Sequence, residues 1–162
     1  LPPEQAMRVV RYRSRDNGRT PMQWCDSTHA GFSTAEPWIA VNRNHTFINA
    51  EAELEDADSV FNYYRRLIRL RRTHPVIVYG SYTDLLPEHE QLFVFQRSGT
   101  EERLVVLLNF SADPVPVDLE LPGEWNRLIG NYPAVMAGET IPGTIRPYEA
   151  MVYSQSKESL CT

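Results

Sequence analysis

The rhythm of apolar and polar positions changes three times along this chain, and each change marks a different kind of structure. Pro2 and Pro3 precede Glu4, and proline at a helix start loses no hydrogen bond. Ala6, Met7, Val9 and Val10 then make a rough apolar face, which predicts a short helix over 3–14. Asn17-Gly18 breaks it. From Arg19 to Ala50 neither the strand period nor the helix period persists. A loop of that length in a compact domain is functional or wrapped over a larger body. Its Trp24, Phe32, Trp38 and Phe47 argue against disorder and are expected to be buried.

The clearest helix is predicted over 56–73. Val60, Phe61, Tyr64, Leu67 and Ile68 form one apolar stripe, and Arg65, Arg66, Arg69, Arg71 and Arg72 occupy the other face and the C-terminal end. Glu51, Glu53 and Glu55 read as a charged run before it, with Asp56 or Asp58 as the cap. His74-Pro75 stops it.

After Pro75 the pattern is that of short strands: 81–85, 92–96, 104–110, 115–121, 127–129 and 150–153. Val115, Val117, Leu119 and Leu121 alternate with Pro116, Asp118 and Glu120, one face in and one face out. Turn signals lie between the strands, as at Ser98-Gly99 and Pro122-Gly123. This spacing predicts an antiparallel β-sandwich. The domain boundary is placed near 74–80, giving domains 1–76 and 77–162.

Composition narrows the function classes. Apolar residues make up 42% of the 162 positions, enough for a packed core. A net charge of −5 gives no electrostatic case for nucleic acid or an anionic membrane. The sixteen basic residues are arginine apart from Lys157. Cys25 and Cys161 fit no metal spacing, and two free thiols are expected in preference to one long-range disulfide. No apolar run approaches the ~18 residues of a membrane span. Opening on Leu1, the chain is expected to be a piece of a longer protein.

The densest polar cluster is Ser14-Arg15-Asp16-Asn17-Gly18-Arg19-Thr20. Arg15 and Arg19 are four apart and would share a face of a helical turn. Guanidinium groups suit carboxylates and sugar hydroxyls alike, but pattern alone favours a solvated helix end with salt bridges. No spacing singles out a carboxylate pair for glycoside hydrolysis, no nucleophile elbow occurs, and no phosphate loop or cofactor motif is present. His29, His45, His74 and His89 read as single surface or loop histidines. Trp24, Trp38 and Trp125 read as core or interface packing before sugar stacking. Asn44-His45-Thr46 and Asn109-Phe110-Ser111 are glycosylation tripeptides.

Taken together, Ser14 to Trp24 (SRDNGRTPMQW) resembles a signature of the oligo-1,6-glucosidase group of glycoside hydrolase family thirteen, in the α-amylase superfamily. The likeness runs on through His29-Ala30-Gly31-Phe32, Pro37-Trp38-Ile39, Val41-Asn42 and Ile48-Asn49. It resumes at Phe61-Asn62-Tyr63-Tyr64, Leu70-Arg71, Val78-Tyr79-Gly80, Leu108 to Ser111 and Ile145 to Ala150. Cys25-Asp26 departs from the expected polar pair.

The resemblance implies the end of a (β/α)₈ barrel, a long loop and last helix, followed by the sandwich. It implies part of an exo-acting retaining α-glucosidase of the bacterial cytoplasm, with an Asp nucleophile, a Glu acid/base and a further Asp all upstream of Leu1. The chain alone is then expected to be inactive. Its expected partners are an oligosaccharide, through the complete barrel, and the N-terminal remainder of the same enzyme; no cofactor is implied. By the same resemblance Arg19 pairs with an upstream Asp and closes the pocket on the non-reducing glucose, and Arg15 lies nearer the rim. Alternatives of the same architecture are a sucrose isomerase or trehalose synthase segment, or the non-enzymatic heavy-chain ectodomain of an amino-acid transporter.

Overall fold

The computed structural model describes residues 1–133 and 141–156. The chain divides into two compact units, Leu1–Tyr64 and Arg65–Thr162.

The first unit opens with helix α1, Pro3–Arg13, and Ser14 turns extended to end it. A long irregular path follows, with tight turns at Arg15–Gly18, Thr28–Gly31 and Arg43–Thr46. Helix α2 is Ala50–Glu55 and helix α3 is Val60–Thr73. The acidic run is therefore a helix of its own, where a charged lead-in to one longer helix was expected. Asn49 caps it, its Oδ1 accepting from the Ala52 amide at 2.9 Å. The cap of α3 is also different from the expected aspartates. Ser59 Oγ accepts from the Asn62 amide at 3.1 Å, while Asp56 Oδ1 is taken by the Asp58 amide within the break. Asn62 Nδ2 in turn donates to the carbonyls of Glu53, Leu54 and Asp56, satisfying the open end of α2.

The aromatic residues of the irregular path are not buried. Trp38 is 82% and Phe47 70% exposed, with Trp24 and Phe32 about half exposed. Helix α1 buries no residue at all.

The second unit begins within α3. After Pro75 one short helix, α4 (Val76–Tyr79), precedes the strands; the sequence pattern gave strands directly. The strands are β1 (Ser81–Asp84), β2 (Leu92–Ser98), β3 (Glu102–Asn109), β4 (Val115–Pro116), β5 (Asn126–Gly130), β6 (Thr144–Ile145) and β7 (Ala150–Ser156). Five form an antiparallel sheet in the order β1-β2-β3-β7-β5, and β4 pairs with β6. Leu92 and Val94 of β2, Val105 and Leu107 of β3, and Met151 and Tyr153 of β7 share one core with Val115, Ile145 and Trp125. The registers Val94↔Leu107 and Val105↔Tyr153 bring these alternate positions onto one face. The segment 115–121 keeps its predicted alternation, with Val117, Leu119 and Leu121 against the core. Its ladder is only two residues long, Val115 and Pro116 facing Ile145 and Thr144, with one further bond from the Val117 amide to the Gly143 carbonyl at 2.9 Å.

Polar groups close one end of this core. Asn109 is 3% exposed. Its Nδ2 donates to the carbonyls of Asp113, Ile145 and Arg146, and its Oδ1 accepts from the amide and hydroxyl of Ser111. A side chain so occupied is no glycan acceptor. Glu149 is 2% exposed and accepts from the Arg146 guanidinium at 2.5 and 3.0 Å and from the Arg146 amide at 2.8 Å. Burial pushes its carboxyl upward, but those bonds and the charges of Arg146 and Arg127 outweigh it and hold the group below its ordinary 4.5.

A depressed folded pKa stabilises the fold above the unfolded value and loses that contribution as the pH falls through the folded one. Glu149→Gln is therefore expected to cost about 1–3 kcal/mol near neutral pH. The gap to the unmodified chain should narrow below about pH 4.5. Urea unfolding of both proteins across pH 3–7 measures this; a gap independent of pH would contradict it.

Candidate functional site

The arginine cluster sits where α1 hands over to the irregular path. Ser14 Oγ accepts from the Asp16 amide at 3.3 Å and starts a 3₁₀ turn over Arg15–Gly18. Such a turn has three residues per revolution, so positions three apart come into line, not four. Arg19 accordingly meets Asp16, its Nη1 donating to Asp16 Oδ1 at 3.4 Å. The expected alignment of Arg15 with Arg19 on one face does not form. The Arg19 guanidinium also stands 5.7 Å from the ring centroid of Trp38, within cation–π range. Arg15 is exposed, and its side chain has no hydrogen bond, ion pair or ring contact among the described residues.

Side-chain amides order the rest of the loop. Asn42 Nδ2 donates to Thr20 Oγ1 at 3.2 Å and to Gln23 Oε1 at 3.3 Å. Gln23 Nε2 donates to the Ile48 carbonyl. The Ala50 and Glu51 amides donate to the carbonyls of Gln23 and Trp24 at 2.9 and 3.0 Å. Asn49, 6% exposed, donates to the His45 carbonyl while capping α2. Gln23, Asn42 and Asn49 thus position the loop. The sequence carried them as matched motif letters, with no signal of this role.

Between Trp24 and Phe32 the backbone makes a left-handed turn. His29, Ala30 and Gly31 have φ of 54°, 56° and 65°, a conformation unfavourable for residues with a Cβ. The Ala30 methyl is fully buried, and its carbonyl accepts from the amides of Trp24 and Cys25 at 2.8 and 3.3 Å. A Cβ on Gly31 would lie 2.6 Å from Cys25 Sγ. Cys25 makes no disulfide among the described residues, and Cys161 lies outside them.

The cluster offers guanidinium donors and exposed rings. Its one carboxylate paired to an arginine, Asp16, is committed to Arg19. That set can bind an anion or the hydroxyls of a sugar. No group of three or more His, Cys, Asp or Glu that could hold a metal occurs among the described residues. Of the histidines read as surface or loop residues, His29, His45 and His74 are half-buried, and His74 has a carboxylate partner, its Nδ1 lying 2.8 and 3.0 Å from the Glu102 oxygens. Of the tryptophans, Trp125 alone joins the core. No described helix is long and apolar enough to cross a membrane.

Comparison with known proteins gives this arrangement its context. The family described as "Alpha amylase, catalytic domain" matches residues 2–80, and "Maltogenic Amylase, C-terminal domain" matches residues 82–152. The chain belongs to the α-amylase family. It is 44% identical over 156 residues to an oligo-1,6-glucosidase of Parageobacillus thermoglucosidasius and 43% over 154 residues to that of Bacillus cereus. Each match covers 93% of this chain and 27% of the relative, so this α-amylase-family chain spans about a quarter of those proteins. Its structure resembles trehalose-6-phosphate hydrolase of Bacillus licheniformis with a TM-score of 0.80 and 34% identity, over 94% of this chain and 28% of that one.

Gly31→Val should destabilise the loop by about 2–3 kcal/mol, since a β-branched residue is strained at positive φ and has no room beside Cys25. Amide exchange at Trp24 and Cys25 should accelerate strongly while amides of β3 and β7 keep their rates. Unchanged exchange at Trp24 would show that the left-handed turn does not order the loop.

Proposed function

We propose that this chain is the C-terminal part of an exo-acting retaining α-glucosidase, which releases terminal α-linked glucose, α-1,6 and/or α-1,4, from oligosaccharides. In this reading residues 1–76 end a (β/α)₈ catalytic barrel and residues 77–162 form its β-sandwich. Barrel enzymes gather their sites from loops after the strands, which is the place the Arg15–Trp38 path would take. The nucleophile, the acid/base and the third acid belong to the remainder of the enzyme, together with the chief saccharide contacts. That remainder covers Trp38, Phe47 and the unburied α1. The bacterial sources of the relatives fit a bacterial cytoplasmic enzyme.

One observation carries the assignment of the site: within an ordered loop, the exposed Arg15 has no partner among the described residues. A fixed backbone presenting a solvent-exposed guanidinium is suited to an external carboxylate and to sugar hydroxyls. Arg19, already tied to Asp16 and Trp38, stands beside it as the second substrate-binding residue. On partnering, the carboxylate contact goes to Arg15 first, whereas the resemblance gave it to Arg19.

In the full-length parent, Arg15→Ala and Arg19→Ala should each fold and lower kcat/KM on isomaltose and nitrophenyl α-glucoside. The larger loss, expected for Arg15→Ala, is about a hundredfold or more, as when a desolvated charge loses its partner. Lys at either position should rescue little, because a point charge lacks the two-pronged geometry. The 162-residue chain by itself should release no nitrophenol. Near-normal kinetics in both alanine variants would return the pair to a solvated helix end, and hydrolysis by the chain alone would overturn the reading.

A further inference from the structure

The second unit holds a groove of about 580 Å³ between α4 and the hairpin joining β2 to β3. Its size is that of a small-molecule site, and its lining is unusual in composition. Tyr79, at the end of α4, is 85% exposed at the groove and offers a free aromatic ring. The opposite wall carries Ser98, Thr100, Glu101 and Glu102. Among the described residues no lysine or arginine lines the groove.

The walls are held in place. A Cβ at Gly80 would fall 3.1 Å from the Ser98 carbonyl, and one at Gly99 would fall 3.3 Å from the Val76 side chain. The end of the helix and the hairpin therefore lie in close contact, and a side chain at either glycine would push them apart. Glu102 is anchored by His74, which takes both carboxylate oxygens at 2.8 and 3.0 Å. Ser98 Oγ accepts from Gln96 Nε2 at 2.8 Å, leaving its own proton to donate. Glu101 is exposed and has no ion pair among the described residues.

We propose that this groove is a saccharide-binding subsite separate from the Arg15–Arg19 loop. An exposed ring stacks on the C–H face of a pyranose, as amphipathic aromatic side chains do at wet binding surfaces. Carboxylates accept strong hydrogen bonds from neighbouring hydroxyls, and the serine and threonine hydroxyls give and accept. With two carboxylates and no lysine or arginine among its described lining residues, the groove favours a neutral sugar over an anionic one. Tyr79 supplies the platform, and Glu101 with Thr100 reads the hydroxyls. The claim stands apart from the proposed hydrolase: binding needs no catalytic carboxylate and is measurable on the chain alone.

The test is an NMR titration of the ¹⁵N-labelled 162-residue chain with maltotriose and, separately, isomaltotriose. Saturable shifts in the millimolar range are expected at Tyr79 and Ser98–Glu102. Tyr79→Ala, at an exposed position, should keep the amide spectrum of β2 and β3 and weaken binding about tenfold or more. Glu101→Gln should weaken it less, and Tyr12→Ala, at an equally exposed tyrosine of α1, should leave it unchanged. Absence of shifts with both sugars, shifts confined to other residues, or equal affinity in Tyr79→Ala would overturn the proposal. So would displacement of the sugar by glucose 6-phosphate at lower concentration than by glucose.

Discussion

A buried or half-buried stretch of backbone without a ladder must still satisfy its N–H and C=O groups, and this constraint governs the chain's irregular parts. Side-chain amides meet it. Asn42, Gln23 and Asn49 tie the signature loop to the segment that leads into α2. Asn62 closes the end of α2 with three carbonyls. In the second unit Asn109 gathers the carbonyls of Asp113, Ile145 and Arg146 where β3 ends, and Asn131 brackets Ala150 and Tyr148 at the start of β7. An amide side chain donates and accepts at once, so each of these residues replaces a short piece of ladder.

The functional consequence lies in the first unit. A path with that many fixed bonds holds its exposed groups at defined positions. Arg19 rests between Asp16 and Trp38, and the left-handed turn at His29–Gly31 keeps Trp24 and Cys25 bonded to one carbonyl. Backbone held in a sparsely populated conformation persists where its surroundings over-determine it, and here it falls inside the segment that marks the family. The exposed rings along the same path have the complementary meaning. Large aromatic residues gain most from burial, and their exposure fits the cover that the remainder of the proposed enzyme would supply.

Period and punctuation in the sequence were enough for α1, most of α3, the strands β2, β3 and β7 and the alternation along 115–121, because these depend on repeated local choices. The same reading missed α2 and α4. Helix α2 is short and its acidic residues carry no apolar stripe; its boundary rests on Asn49 and Asn62, which act from outside it. Helix α4 is one turn of apolar residues, Val76–Tyr79, and a run of that length reads equally as strand. His74 looked like a surface histidine because Glu102, its partner, is 28 positions away.

By itself the sequence determined the order of helix, irregular path, helix and strands, the apolar positions of the β core, and the motif letters by which the family resemblance was read. These follow from periodicity, proline and glycine placement and residue type, all of them local. Only the tertiary structure decided which cap each helix uses, that among the described residues Arg19 is partnered while Arg15 is not, that Asn109 and Glu149 are buried, and that the exposed Tyr79 lines one groove with Ser98, Thr100, Glu101 and Glu102. The physical reason is the same in each case. Those outcomes depend on which distant groups arrive within hydrogen-bond or van der Waals reach, and no local pattern encodes that distance.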